Sequence, residues 1–362
     1  MRIAIFAAVL SLLVTACGQE QATSTAGQHP QQTVKWKLVT SWPKNFPGLG
    51  TSPERFAEQV NAMSGGRLEI KVYGANQLVP AMQVFDSVSS GTVEMGHSGA
   101  YYWKGKAPAA QFFCAVPFGM TAQEMSSWLH YGGGMELWRE VYAPFNLEPL
   151  AGGSTGVQMG GWFNTEINSV DDLKGLKMRL PGLGGEVLSR LGGVPVSLPG
   201  GEIFTSLQTG AIDATEWVGP YNDLAFGLHE AAKYYYYPGW HEPGSTMEFI
   251  VNKDAMAALP ADLQAIVRTA AKAAAQEMID EYTYRNIAAL EQIQAMDGIT
   301  IKRFPEPVLA ALRQASEQLL AEQAAADPQV DKVYQSFKSF KQGVAKYHDL
   351  TERAYLNLRD GQ

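Results

Sequence analysis

Hydrophobic positions first alternate with polar ones from Val34 to Val39, the period-two signature of a strand. Ser52-Pro53-Glu54 then offers an N-cap, a proline at the first helical position and an early acid. Phe56, Val60 and Met63 follow at helical spacing until Gly65-Gly66 ends the run, and Leu68, Ile70 and Val72 return to alternation. A β-α-β order with periods switching between 2 and 3.6 predicts an α/β sheet.

The pattern then echoes itself. Phe85-Asp-Ser-Val-Ser-Ser-Gly91-Thr-Val-Glu94 resembles Phe204-Thr-Ser-Leu-Gln-Thr-Gly210-Ala-Ile-Asp213, each reading as a helix, a glycine stop and a short strand. The two strands continue into Met95–Tyr102 and Ala214–Tyr221, so both run into polar and aromatic residues at their carboxyl ends. Two α/β lobes that each present such an end predict a ligand cleft between them, because ligands of open α/β sheets sit beyond the carboxyl ends of strands. Further on, the stretch from Pro260 to Ala295 reads as one or two long helices, and another helix runs from about Pro307 to Ala325. From Pro328, Val330, Val333, Tyr334, Phe337, Phe340, Val344, Tyr347 and Leu350 recur at spacings of three and four, a helix with an aromatic stripe.

The start of the chain has a different pattern. Met1 to Cys17 carries one early charge, Arg2, an apolar run from Ile3 to Val14 and small residues before the cysteine, the layout of a secretory signal too short to span a membrane. Val14-Thr-Ala-Cys17 resembles a bacterial lipobox, which would make Cys17 the lipidated first residue of the mature protein. Residues 18 to 33 lack aromatic and branched aliphatic side chains and read as a flexible tether.

Composition narrows the function classes. The 362 residues are 46% hydrophobic, enough for two sizeable domains, and the only cysteine besides Cys17 is Cys114, so the processed chain has no internal disulfide. A net charge of −8 argues against nucleic acid as a partner and requires locally placed cations for any anionic ligand. Enzyme motifs come close and fail. His229-Glu-Ala-Ala-Lys233 lacks the second histidine of a zinc-protease helix, Gly105-Lys106-Ala107 lacks the rest of a phosphate loop, and Gly182-Leu-Gly184-Gly185 lacks the third glycine of a dinucleotide fingerprint.

One segment is more informative. Ser169-Val-Asp-Asp-Leu-Lys-Gly175-Leu-Lys-Met-Arg179-Leu-Pro-Gly182 opens with a capping signal, makes a turn of helix and enters a strand. Leu176, Met178 and Leu180 share one face of that strand, Lys177 and Arg179 the other. Together with Phe204–Tyr221 and Trp240-His-Glu-Pro-Gly244, this resembles the solute-binding proteins of TRAP transporters, over roughly residues 34 to 355. It is most similar to the branch that binds 2-oxo and 2-hydroxy acids such as pyruvate and lactate.

The resemblance implies a two-lobe periplasmic binding protein of α/β class with long C-terminal helices, not an enzyme. It would deliver a small carboxylic acid to membrane permease subunits. Its implied parts are a signal peptide (1–16), a lipid-anchored tether (17–33), lobe I (34–157, completed by part of 245–300), lobe II (158–244, completed by part of 260–325) and a C-terminal helix (328–360). The family ends in long helices, one of which crosses both lobes, and Pro260 to Ala295 is the expected place for it. In the family the arginine of the K-M-R-x-P-G strand holds the ligand carboxylate, here Arg179, and a guanidinium fork suits that role. The branch also binds a cation beside the ligand, and the matching positions are Gln158, Glu216, the carbonyl of Trp217 and Glu242. These are oxygen donors, suited to sodium or calcium. Tyr101, Tyr102 and Asn222 complete the expected ligand set. Adjacent strand residues face opposite ways, so one of the two tyrosines is expected to reach the ligand, and the sequence leaves open which. Related proteins dimerise through a terminal helix, which makes a homodimer the expected assembly. A secreted lipoprotein enzyme acting on a small acid and a sensor domain are the competing readings.

Overall fold

The chain is described by a computed structural model over residues 33–361, so the secretory segment, Cys17 and the tether as far as residue 32 lie outside the described residues. Its strands are β1 (Val34–Thr40), β2 (Leu68–Tyr73), β3 (Met95–Ser98), β4 (Leu147–Ser154), β5 (Gly161–Phe163), β6 (Lys177–Arg179), β7 (Val194–Val196), β8 (Ala214–Thr215), β9 (Tyr234–Tyr237), β10 (Thr246–Asn252) and β11 (Thr300–Arg303). They form two sheets, ordered β2-β1-β3-β10-β4 and β11-β9-β5-β8-β6-β7. In β1, Trp36 and Leu38 are buried while Lys35 and Lys37 face out, as the alternation predicts.

In each sheet one strand runs against its neighbours. β10 is antiparallel to β3 and β4, and β5 is antiparallel to β8 and β9. Both follow a short crossing from the other sheet, through residues 155–160 and 238–245, whereas β11, reached from β10 by way of the long helix that follows Pro260, runs parallel to β9. A chain arriving from the cleft must enter its new sheet from the cleft edge, opposite in sense to strands that end there. The expectation of α/β lobes holds, with mixed sheets.

The two echoed segments fold alike. Helices Val84–Ser89 and Gly200–Gln208 precede Gly91 and Gly210, both at φ +73°, the left-handed conformation that favours glycine. The closing acid then clamps a neighbouring strand: Glu94 accepts a hydrogen bond from Lys37 N at 2.7 Å, and Asp213 accepts one from Lys177 N at 2.9 Å. The first helix, Ser52–Met63, starts one residue earlier than the capping signal suggests, with Thr51 at the cap and Ser52 buried. Ser52 N bonds Gly48 O at 2.9 Å, so the preceding turn satisfies an amide that would otherwise need a side-chain cap.

Pro260–Ala295 forms one helix, Ala261–Gln294, which packs on β4 and on helix Ser52–Met63 of the first lobe and on helix Pro220–Ala225 of the second. Helix Glu306–Ala326 packs on Gly182–Arg190 of the second lobe, and Pro328–Leu350 packs on the first. Val330, Val333 and Phe337 are buried there, Phe337 edge-on to Trp128 at 5.3 Å. A short terminal helix, Glu352–Asp360, follows.

Candidate functional site

The parallel strand ends β3, β6 and β8 converge on the gap between the sheets. Asp172, in a capping box with Ser169, fixes the turn Val170–Leu173, and Asp213 then locks β6 to β8 so that Arg179 pairs with Thr215. The next residue, Glu216, is thereby set beside Arg179, and its carboxylate accepts a hydrogen bond from a guanidinium nitrogen, Nη1. The other terminal nitrogen, Nη2, donates to Tyr102 OH at 3.0 Å, Nε donates to the carbonyl of Leu198 at 3.2 Å, and the guanidinium lies 5.1 Å over the Trp217 ring. Arg179 and Glu216 are each only 1% exposed. Burial opposes the arginine's charge, but Glu216, then Tyr102, Tyr101 and Glu242, more than offset it and raise its pKa, so it stays cationic.

Glu242 lies in the crossing from β9 to β10. It accepts hydrogen bonds from Gln158 Nε2 at 3.0 Å and Ser245 Oγ at 2.5 Å. Burial and the charge of Glu216 push its carboxyl up to about 7. Gln158 Oε1 is buried without a hydrogen-bond partner, as are both ring nitrogens of His241. Glu216, His241 and Glu242 can each present a ligand atom within 4.8 Å of the others. The site therefore has one permanent cation, two carboxylates and unpaired acceptor atoms, a donor set that fits a bound cation.

Tyr101 and Tyr102 stand on a 3-10 turn, Ala100–Trp103, because β3 stops at Ser98. Opposite facing on a strand therefore does not apply, which removes the reason for expecting one tyrosine alone to reach the ligand. Their rings meet edge to face at 4.6 Å, Tyr102 on Arg179 and Tyr101 lining a small cavity with Trp42, Thr155, Gln158, Trp217 and Met247. Both also line an adjoining cavity of about 230 Å³ at the mouth of the cleft. Asn222 sits apart, with Nδ2 donating to Pro47 O at 2.9 Å and Oδ1 accepting from Tyr282 OH at 2.6 Å, so it ties the second lobe to the first and to the long helix.

Three supporting residues escaped the sequence reading. Asp223 accepts from Trp162 Nε1, Tyr235 OH and the amides of Val218 and Gly219, and so holds the segment that carries Trp217. His97, kept neutral by burial that lowers its pKa to about 3, accepts from Trp42 Nε1 at 2.8 Å and fixes that ring at the cleft wall. His241 adjoins Glu242 in the Trp-His-Glu-Pro-Gly run, a position that was its one available signal. The glycines that fall short of a dinucleotide fingerprint serve packing: a Cβ on Gly184 would lie 3.0 Å from His241 Cβ.

Residues 38–327 match the model of the family described as bacterial extracellular solute-binding protein, family 7. The chain belongs to this family. As a family 7 protein it is a periplasmic binding protein and not an enzyme. It is 43% identical over 351 residues, 97% of this chain and 95% of the relative, to a monocarboxylate 2-oxoacid-binding periplasmic protein of Nostoc sp.. A TRAP periplasmic solute-binding protein of Colwellia psychrerythraea, solved with bound calcium and pyruvate, superposes with a TM-score of 0.88 at 46% identity, covering 90% of this chain and 99% of that one. One from Pseudoalteromonas atlantica, with bound sodium and pyruvate, matches with the same score, identity and coverage. The two solved structures share the fold of this chain.

Proposed function

We propose that this chain is the solute-binding subunit of a TRAP transporter. It closes on a small 2-oxo or 2-hydroxy monocarboxylate such as pyruvate or lactate, together with sodium or calcium, and delivers the acid to membrane permease subunits. Relatives at 46% identity that hold pyruvate with calcium or sodium support this reading. The observation that carries it is the charge balance of the enclosed site: Arg179 faces Glu216 and Glu242, and Glu242 is driven towards its neutral form. A further anion needs a cation with it, because an unbalanced buried charge is strongly unfavourable.

Arg179 takes the carboxylate, with Tyr102 and Tyr101 beside it. Gln158 Oε1, Glu216, the Trp217 carbonyl and Glu242 hold the cation, with Asn222 joining the lobes around them. Calorimetry with pyruvate tests the coupling. Affinity should fall at least tenfold in chelator and sodium-free buffer, and Glu216→Gln should weaken acid and cation together, since coupling is reciprocal. Equal affinity with and without cations would refute it.

Two further parts complete the proposal. Lipidation of Cys17 tethers the binding protein to a membrane, supported by the lipobox-like Val14-Thr-Ala-Cys17, and Cys17→Ser should leave the chain unprocessed or released from membranes. Homodimerisation through the C-terminal helices is supported by the exposure of Tyr347, Leu350, Tyr355 and Leu358.

A further inference from the structure

His241 is 1% exposed, yet neither Nδ1 nor Nε2 has a hydrogen-bond partner. Buried polar groups are normally paired, and an orphaned pair on one ring calls for a partner that arrives from outside the chain. The ring is held in place, edge-on to Trp240 at 5.5 Å, with Gly184 leaving room behind its Cβ. Its Nε2 lies 3.6 Å from Glu216 Oε2, too far for a hydrogen bond. Two ligands on one ion, with bonds of about 2.0–2.2 Å and an angle near 110–120°, are about 3.3–3.8 Å apart. The spacing suits two ligands of one ion. Among the described residues, Glu216, His241 and Glu242 are the one His, Cys, Asp or Glu group whose ligand atoms come together in this way.

We infer that His241 is a nitrogen ligand to the cation, and that it extends the site from hard ions to imidazole-binding divalent ions such as Mn2+ and Zn2+, chelated jointly by the protein and the 2-oxo acid. This rests on the acid-plus-cation function proposed above and adds a residue and an ion class to it. Hard sodium and calcium gain little from a nitrogen donor, whereas affinity for first-row divalent ions at such sites rises along the series from manganese towards copper. A 2-oxo acid supplies two oxygens of its own. With Glu216, Glu242, His241, Gln158 Oε1 and the Trp217 carbonyl, protein and acid together offer about seven donors, from which ions of different coordination number can draw.

The test uses the full chain loaded with Mn2+ and pyruvate. Electron spin-echo modulation should show 14N coupling from a directly bound imidazole, and His241→Gln should abolish it. By calorimetry the same variant should weaken Mn2+-supported pyruvate binding at least tenfold, since even partners one shell out from a metal cost about 10- to 100-fold. Ca2+-supported binding should weaken by a clearly smaller factor, because calcium sites are built from oxygen ligands and the glutamine side chain offers one. Mn2+ bound without nitrogen coupling, no Mn2+ uptake where Ca2+ is taken up, or equal weakening with both ions would overturn the inference. Failure of the native chain to bind pyruvate with sodium or calcium would overturn the function proposed above instead.

Discussion

Arg179 has two duties that a substitution would separate. It is the fixed positive charge of the cleft, and it is the counter-charge to a fully buried Glu216. Arg179→Ala should abolish pyruvate binding and also destabilise the fold by about 3–5 kcal/mol, because Glu216 is left buried and unpaired. Arg179→Lys should keep more of that stability, yet still lose most of the affinity, since an ammonium has no planar fork. Calorimetry and thermal melting read the two effects separately. Glu248 allows a test away from the ligand. It accepts from Trp103 Nε1 at 2.6 Å and Tyr142 OH at 2.7 Å in the first lobe, and burial pushes its carboxyl up to about 8. The native state then keeps a proton that the unfolded chain releases near pH 4–5, so stability falls as pH rises from that range to about 8. Glu248→Gln preserves the bonds without the charge. Its melting temperature relative to the native chain should climb between pH 5 and pH 8, and a constant difference would contradict the assignment.

The C-terminal helices divide along their length. The first half of Pro328–Leu350 is committed to its own lobe through Val330, Val333 and Phe337, so deleting everything after Asp327 would uncover Trp128 and damage the fold. Beyond Val344 the apolar side chains turn outward: Leu350 is 83% exposed and Leu358 79%. Leu350, Tyr355 and Leu358 line one shallow concavity, a surface that suits the dimer proposed above. Leu350→Glu combined with Leu358→Glu should therefore yield a monomer by sedimentation, with the melting temperature of a folded chain retained. Dimers that persist in this double variant would place the interface elsewhere.

Closure of the two lobes is held by contacts of unequal weight. Phe46 of the first lobe stacks on Phe226 of the second at 4.2 Å and meets Trp217 edge-on at 6.1 Å, while Trp42 also meets Trp217 at 6.1 Å. Lys104 pairs with Glu186 across the cleft mouth at 2.8 Å, but both remain partly exposed. Such surface pairs contribute about 0–1 kcal/mol, whereas burying an aromatic ring contributes about 1.5–3 kcal/mol. The aromatic clamp dominates. Ligand affinity scales with the population of the closed form, so Phe46→Ala should weaken pyruvate binding roughly 10- to 100-fold without removing a ligand contact. Lys104→Ala should weaken it less than about threefold. Small-angle scattering of the ligand-free Phe46→Ala protein should show a larger radius of gyration, and an unchanged radius with unchanged affinity would rule out the clamp.

Local periodicity made much of this protein legible. The alternation of β1 and β2, the echoed helix-glycine-strand units, the long helix after Pro260 and the strand ending in Arg179 are each encoded within a few turns of chain, where side-chain spacing dictates which face is buried. The charged members of the site, Arg179, Glu216 and Glu242, could be named because each stands in a short run that resembles a family motif. Partnership between distant segments could not be read this way. Tyr102 meets Arg179 from 77 positions away, Trp42 meets His97 from 55, and the reversed sense of β5 and β10 goes with the short crossings between sheets that precede them. His241 shows the limit. Its identity is plain in the chain, but a buried nitrogen with no partner is a property of everything packed around it, so it emerges once both lobes are folded against each other.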